Sequence, residues 1–188
     1  MPDAPDPSDK WIKTTVPLPP SHGWRCKPGN HLIVADRGAA SLEVPATWVV
    51  KPEKDGLCIS NKTPPADEAR LMLTVFHLPP VQGGWRGLPL EQMMRVPNPD
   101  GAAKAMEIHR IERPGIEMVW AEKGEHPDRD SGRTIRTRQL LARANLVQVL
   151  ITYDVYRDCA DRFEPVWKDV LRTLRVGVSR SLMGDVGN

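Results

Sequence analysis

Cysteine is scarce in this chain. Only Cys26, Cys58 and Cys159 occur. An odd number at wide spacing makes no disulfide framework, so all three are expected as free thiols of a reducing compartment. Long apolar runs are missing: none approaches the ~20 residues that a membrane-spanning helix needs. The opening Met-Pro-Asp-Ala-Pro-Asp-Pro-Ser-Asp-Lys has no basic patch followed by an apolar stretch, so it does not read as a secretory signal. A cytoplasmic setting is the expectation. An excess of one charge is also missing. A net charge of +2 gives no electrostatic case for nucleic acid or an anionic membrane. There is no internal repeat. No Gly-x-Ser-x-Gly elbow marks a hydrolase, and Gly83-Gly84 lacks the Lys and Ser/Thr of a phosphate-binding loop.

What remains is an ordinary globular composition, 40% hydrophobic and 27% charged over 188 residues, enough for one domain with a sizeable core. Nineteen prolines fall mostly between apolar segments and mark many fixed turns. Residues 1–22 read as an extended or disordered segment, 23–177 as a single domain, and 178–188 as a tail.

The organising stretch is Thr134 to Val176. In Leu146 to Tyr153 both faces of a period-two pattern are apolar, which marks a central strand covered on both sides. Phe163, Val166, Trp167, Val170, Leu171 and Leu174 then recur at helical spacing, with Glu164, Lys168, Asp169 and Arg172 opposite. Arg70 to His77 is a second strand of the doubly apolar kind. Shorter strands are read at His31–Ala35, Ser41–Val44, Trp48–Val50, Leu57–Ile59, Glu107–Ile111, Ile116–Ala121 and Arg133–Ala142. Asp55-Gly56 and Pro114-Gly115 are turns. Pro89 to Val96 reads as a short helix stopped by Pro97, and Lys123 to Gly132 as a polar loop. Many antiparallel strands, few helices and two doubly apolar strands predict an α+β fold. A single antiparallel sheet would be flanked by helices on both faces, an α/β/α sandwich.

The segment Ala40-Ser41-Leu42-Glu43-Val44-Pro45-Ala46-Thr47-Trp48-Val49-Val50 resembles the strand-Pro-x-x-Trp-strand opening of the PsbP-like (DcrB-like) superfamily. The closing helix, Phe163 to Val176 after two long strands, resembles that superfamily's ending. The resemblance covers about residues 23–177. It implies an α/β/α sandwich, and a function among non-catalytic adaptors or chaperones. The superfamily has no shared catalytic motif to carry over.

Candidate chemistry is sparse. His22, Cys26 and His31 are metal-type ligands, but their loose spacing lacks the tight pairs of a zinc site; no metal and no cofactor are expected. Asp128, Asp130 and Ser131 imitate the start of a calcium loop without its spaced Gly and closing Glu, and read as a surface turn. His77 and His109 lie in strands. A pocket beside either is the route to the alternative function, a small-ligand-binding or hydrolytic protein. The leading expectation is a protein-binding module whose partner is another protein, with no nucleic acid and no membrane span. Its candidate contacts are Trp85 and Arg86, adjacent in a Gly- and Pro-rich loop, because Trp and Arg dominate interface hot spots. The second pair is Arg136 and Arg138, a small basic stripe on one strand face. Glu117, Glu122 and Glu125 are expected to pair with the arginines of this strand.

Overall fold

The computed structural model of the protein describes residues 26–82, 84–85, 88–95 and 106–177. Readings placed on residues 1–22 and 178–188, on His22 and Arg86, and on the end of the short helix at Val96–Pro97 lie outside the described residues.

The first hairpin joins β1 (Asn30–Ala35) to β2 (Ala40–Pro45) through a tight turn at Asp36–Gly38. Asp36 and Arg37 there adopt φ of 47° and 55°, the left-handed region that Asp tolerates better than most residues. The second hairpin joins β3 (Val49–Glu53) to β4 (Gly56–Ser60) at the expected Asp55-Gly56 turn. A Cβ on Gly56 would lie 2.1 Å from the Leu73 carbonyl oxygen, so only glycine lets β4 approach its neighbour there. That neighbour is β5 (Ala69–His77). After the short helix α1 (Leu90–Met94) come β6 (Ile108–Arg113), β7 (Ile116–Pro127), β8 (Thr134–Ala144) and β9 (Val147–Tyr156). Helix α2 (Ala160–Thr173) and the two-residue β10 (Arg175–Val176) close the described chain.

The class is α+β, mostly antiparallel sheet with two helices among the described residues. The sheet is not single. Seven strands run in the order β3-β4-β5-β9-β8-β7-β6, and β1-β2-β10 form a separate three-stranded sheet. The reason lies at the end of α2. Leu174 leaves helical geometry at φ −54°, ψ 127°, so Arg175–Val176 turns back and pairs with Ser41–Ala40. The closing helix therefore ends at Thr173, and Arg175–Val176, read with it from the sequence, belong to a strand. The second correction concerns β7, which continues to Pro127 where a polar loop was expected. It crosses a bulge between Glu122 and Gly124 and stays paired with β8, because its polar side chains meet complementary ones across the ladder.

The two doubly apolar strands, β5 and β9, lie side by side inside the seven-stranded sheet, as their patterns required. The main core joins Leu71, Leu73, Met118, Leu140, Ile151 and Tyr153 to the stripe of α2. Trp167 is 1% exposed, with its indole stacked on Tyr153 at 5.4 Å and edge-on to Trp120 at 5.7 Å. Trp48, after the Pro45 that ends β2, meets Phe163 of α2 edge-on at 5.9 Å. The two sequence features behind the family resemblance thus touch in the fold. A smaller cluster gathers Leu90 and Met94 of α1 with Val119, Ala121 and Leu141.

Candidate functional site

The arginine stripe is best understood from strand register. Pairing of β7 with β8 sets Glu117 opposite Arg143, Glu122 opposite Arg138 and Glu125 opposite Arg136. Each pair closes: Arg143 Nη2 lies 2.6 Å from Glu117, Arg138 Nη2 3.1 Å from Glu122, and Arg136 Nε 3.8 Å from Glu125. Arg138 goes further. Its Nη1 donates to Glu164 of α2 at 2.7 Å, and its guanidinium lies 5.7 Å and 5.8 Å from the ring centroids of Trp120 and Trp167. Only 8% of this side chain remains exposed. A buried cation must be paired, and here two carboxylates and two indoles enclose it. Arg138 therefore offers a partner little surface; it ties β7, β8 and α2 together. Arg136 shares its face, as the two-residue period required, and is half-buried between Glu122 and Glu125.

Trp85 sits elsewhere. Its indole N–H donates to the Pro79 carbonyl at 2.7 Å, which folds the loop onto its own first residues. The loop is fastened to the sheet at two points: Leu78 N–H donates to Leu146 O at 2.7 Å, and Arg143 Nη2 donates to Leu88 O at 2.9 Å. Trp85 is half-buried there. The loop thus lies over the end of the sheet where β8 turns into β9. Arg136 lies eight residues back along β8 from Ala144, roughly 26 Å of strand. The structure does not bring Trp85 together with Arg136 and Arg138.

The loop that carries Trp85 also holds exposed apolar residues, and beside it stand two more that sequence reading missed, Phe76 and Leu146. Phe76, Val81, Leu88 and Leu146 are each more than 40% exposed. Phe76 opposes Gln148 in the ladder, and Leu146 precedes β9 beside Leu78, so they meet on one face at the strand ends. The sequence signal was an aromatic and a leucine placed where strands stop, beside His77 and Asn145. Only the pairing of β5 with β9 shows that they are neighbours.

The opposite end of the sheet is polar. Asp128 accepts from Tyr156 Oη at 2.9 Å and from the Ser131 hydroxyl and N–H, which confirms a turn fastened by its own carboxylate. The Ser131 hydroxyl, then that of Tyr156, holds this carboxyl down at about 2. Arg133 stacks on the Tyr156 ring at 3.8 Å and donates to Asp158 at 2.6 Å. Glu68 lies 3.0 Å from Lys62 and 2.6 Å from Arg162; Lys62 first and Arg162 next hold its carboxyl at about 2 despite partial desolvation.

Neither His77 nor His109 lines either of the two depressions described below. His77 is largely exposed and paired with Asp36. His109 stacks on Trp120 at 4.2 Å. Two open depressions among the described residues are lined by Cys26, Lys27, Glu43, Asp169 and Arg172, and by Gly132, Arg133, Thr134, Arg157 and Asp158. Neither includes a histidine. Among the described residues no three His, Cys, Asp or Glu side chains gather as metal ligands, and Cys26 and His31 are both exposed. No helix among the described residues is long and apolar enough to cross a membrane.

The fold is of the PsbP-like kind. The cyanobacterial PsbP (CyanoP) of Synechocystis sp. PCC 6803 matches with a TM-score of 0.52 at 9% identity, covering 82% of this chain and 98% of that one. LpqN of Mycobacterium tuberculosis, involved in cell envelope biogenesis, gives a TM-score of 0.51 at 11% identity over 78% of this chain and 90% of its own. A protein of Bacteroides thetaiotaomicron VPI-5482 gives 0.55 at 9% identity over 79% of this chain, which spans 48% of that protein's length. Within that fold, residues 31–179 match the Alr1449 family model, and the chain belongs to the Alr1449 family. Its relative alr1449, an uncharacterized protein of Nostoc sp. (strain PCC 7120), is 33% identical over 172 residues, covering 90% of this chain and 88% of the relative.

Proposed function

We propose that this protein is a non-catalytic binding module, adaptor- or chaperone-like, acting on another protein through the Trp85 end of its sheet. The observation that carries the reading is the exposure of Phe76 and Leu146 at the strand ends, and of Val81 and Leu88 in the loop fastened to the sheet there. Contiguous exposed apolar surface marks interaction sites on soluble domains. A loop already held by the Trp85–Pro79 bond loses little entropy on docking. The layered reading supports the same picture. The residues that pack on α1 alternate along β7 and β8 with those that pack on α2, which supports a reading with one helix on each face of the seven-stranded sheet. Residues 23–177 then form one scaffold that presents its loops at the strand ends. A cytoplasmic, reducing setting fits three unpaired thiols.

The test uses Phe76→Ser with Leu146→Ser, and separately Trp85→Ala, in the full chain. Quantitative affinity capture from the native host is compared with wild type, alongside thermal melting. A partner retained by wild type and lost by the double variant, at an unchanged melting temperature, supports the site. Equal capture by all three proteins removes it.

A further inference from the structure

The seven-stranded sheet has two edges, and they are built differently. At β3 the edge carries Pro52, which has no N–H to offer, flanked by the exposed Lys51 and Glu53. Proline and charge are the usual means of closing an edge. At the far side β6 reads Ile108-His109-Arg110-Ile111-Glu112-Arg113, with no proline. Among the described residues no strand pairs with its outer side. An open edge offers a row of backbone donors and acceptors, and its side chains decide what can pair with it.

The side chains of β6 suit a second β6. When two copies pair antiparallel about a two-fold axis normal to the sheet, opposed residues must face the same way, so registers change in steps of two. Centred on Ile111, the pairing sets Arg110 of each copy opposite Glu112 of the other, with Ile111 against Ile111. Moving the axis one residue toward the N-terminus opposes Arg110 to Arg110. Moving it one toward the C-terminus opposes Glu112 to Glu112. Directly opposed like charges destabilise a sheet and opposite charges stabilise it, so of these three registers charge favours the one centred on Ile111. Arg110 is free to serve it. Its side chain is 66% exposed, and its bonds to Glu91 use Nε and Nη2 of a guanidinium that carries five donors. Ile111 is half-buried and packs against the main core, so the axis falls where apolar surface already reaches the edge.

We propose that this protein forms a symmetric dimer by antiparallel pairing of β6 with β6 about Ile111, joining two seven-stranded sheets into one. The surface is distinct from the Trp85 end and stands or falls apart from it.

The experiment is sedimentation velocity on the full chain over a wide concentration range. Wild type is expected at twice the chain mass at high concentration. Glu112→Arg alone, and Arg110→Glu alone, are expected to sediment as monomers, and the double exchange Arg110→Glu with Glu112→Arg to recover the dimer. Glu112 lies opposite Glu117 in the β6–β7 ladder, so Glu112→Arg replaces a like-charge pair by an opposite one within the chain, and a melting temperature no lower than wild type separates lost assembly from lost folding. In a Cys26→Ser background, Ile111→Cys is expected to cross-link two chains under mild oxidation, because opposed residues of an antiparallel ladder lie within disulfide reach. A wild type that stays monomeric at every concentration overturns the proposal. So does a dimer indifferent to all three charge changes, or a monomer whose β6 pairs only with strands of other proteins.

Discussion

At the end of the sheet where β8 begins and β9 finishes, Asp128, Tyr156, Arg133, Asp158, Glu68 and Arg162 hold one another. At the other end Phe76, Val81, Leu88 and Leu146 stand in solvent. Both ends sit on the same strands, so the difference lies in side chains alone. Exposed ion pairs contribute little stability each, and the polar end mainly fixes where its turns lie. The apolar end keeps its hydration cost until something covers it. One end is satisfied within the chain, and under the proposed function a partner would cover the other.

The largest expected effect lies between the ends and sets the scale for both. Trp167→Ala removes a 1%-exposed indole and should cost about 3–5 kcal/mol in denaturant unfolding, from lost burial plus a cavity. Trp167→Phe should cost less, since the indole N–H has no acceptor to lose.

Next comes Arg138, the charge that joins β7, β8 and α2. Arg138→Ala should cost about 2–3 kcal/mol by the same measurement, because its two acids keep access to water while the indoles lose their cover. If the loss matches that of Arg157→Ala, whose arginine is an exposed partner of Glu125, the enclosure of Arg138 has no energetic meaning.

Acid should then separate the two ends. Glu68 and Asp128 both have folded pKa values of about 2, below their ordinary 4.5 and 3.8. A depressed carboxyl stabilises the fold above its unfolded pKa and loses that contribution as pH falls through the folded one. Stability should therefore decline from about pH 4.5 toward pH 2, with Glu68→Gln flattening the upper part of the decline. Hydrogen exchange should find the loss at the Tyr156 end first. Opening that starts at the Leu146 end would reverse the comparison.

The smallest effect is chemical. Unfolded protein without reductant should titrate three thiols. In the folded protein Cys26 should react first and Cys58, buried in β4, last, since burial also pushes the Cys58 thiol up. One thiol in the unfolded sample would mean a disulfide and remove the reducing setting.

Much of the architecture was legible because burial writes a period into the chain. The doubly apolar β5 and β9 had to be central, and Phe163 to Leu174 had to form a covered helix. Asp55-Gly56 had to turn. The reading broke where stabilisation comes from charge. Lys123 to Pro127 carries no apolar alternation, so it read as a loop even though Glu125 was expected to pair with an arginine across the ladder. β10 is too short to show any period. For the candidate site, the period correctly put Arg136 and Arg138 on one face. What covers that face depends on α2, and no local pattern says that Glu164 reaches Arg138. Phe76 and Leu146 are 70 positions apart in sequence and become neighbours only through strand order.

That strand order also bears on synthesis. β5 is complete at His77, yet its partner β9 begins at Val147. While the ribosome makes the residues between, the nascent chain holds β3, β4 and β5 with the most apolar strand of the three at a naked border. Its Leu71 and Leu73 are sealed only when the last third of the chain emerges. Contacts this distant in sequence form slowly, and unpaired apolar strands are prone to aggregate meanwhile. A stalled or truncated product ending before Tyr156 is thus left with its central seam open.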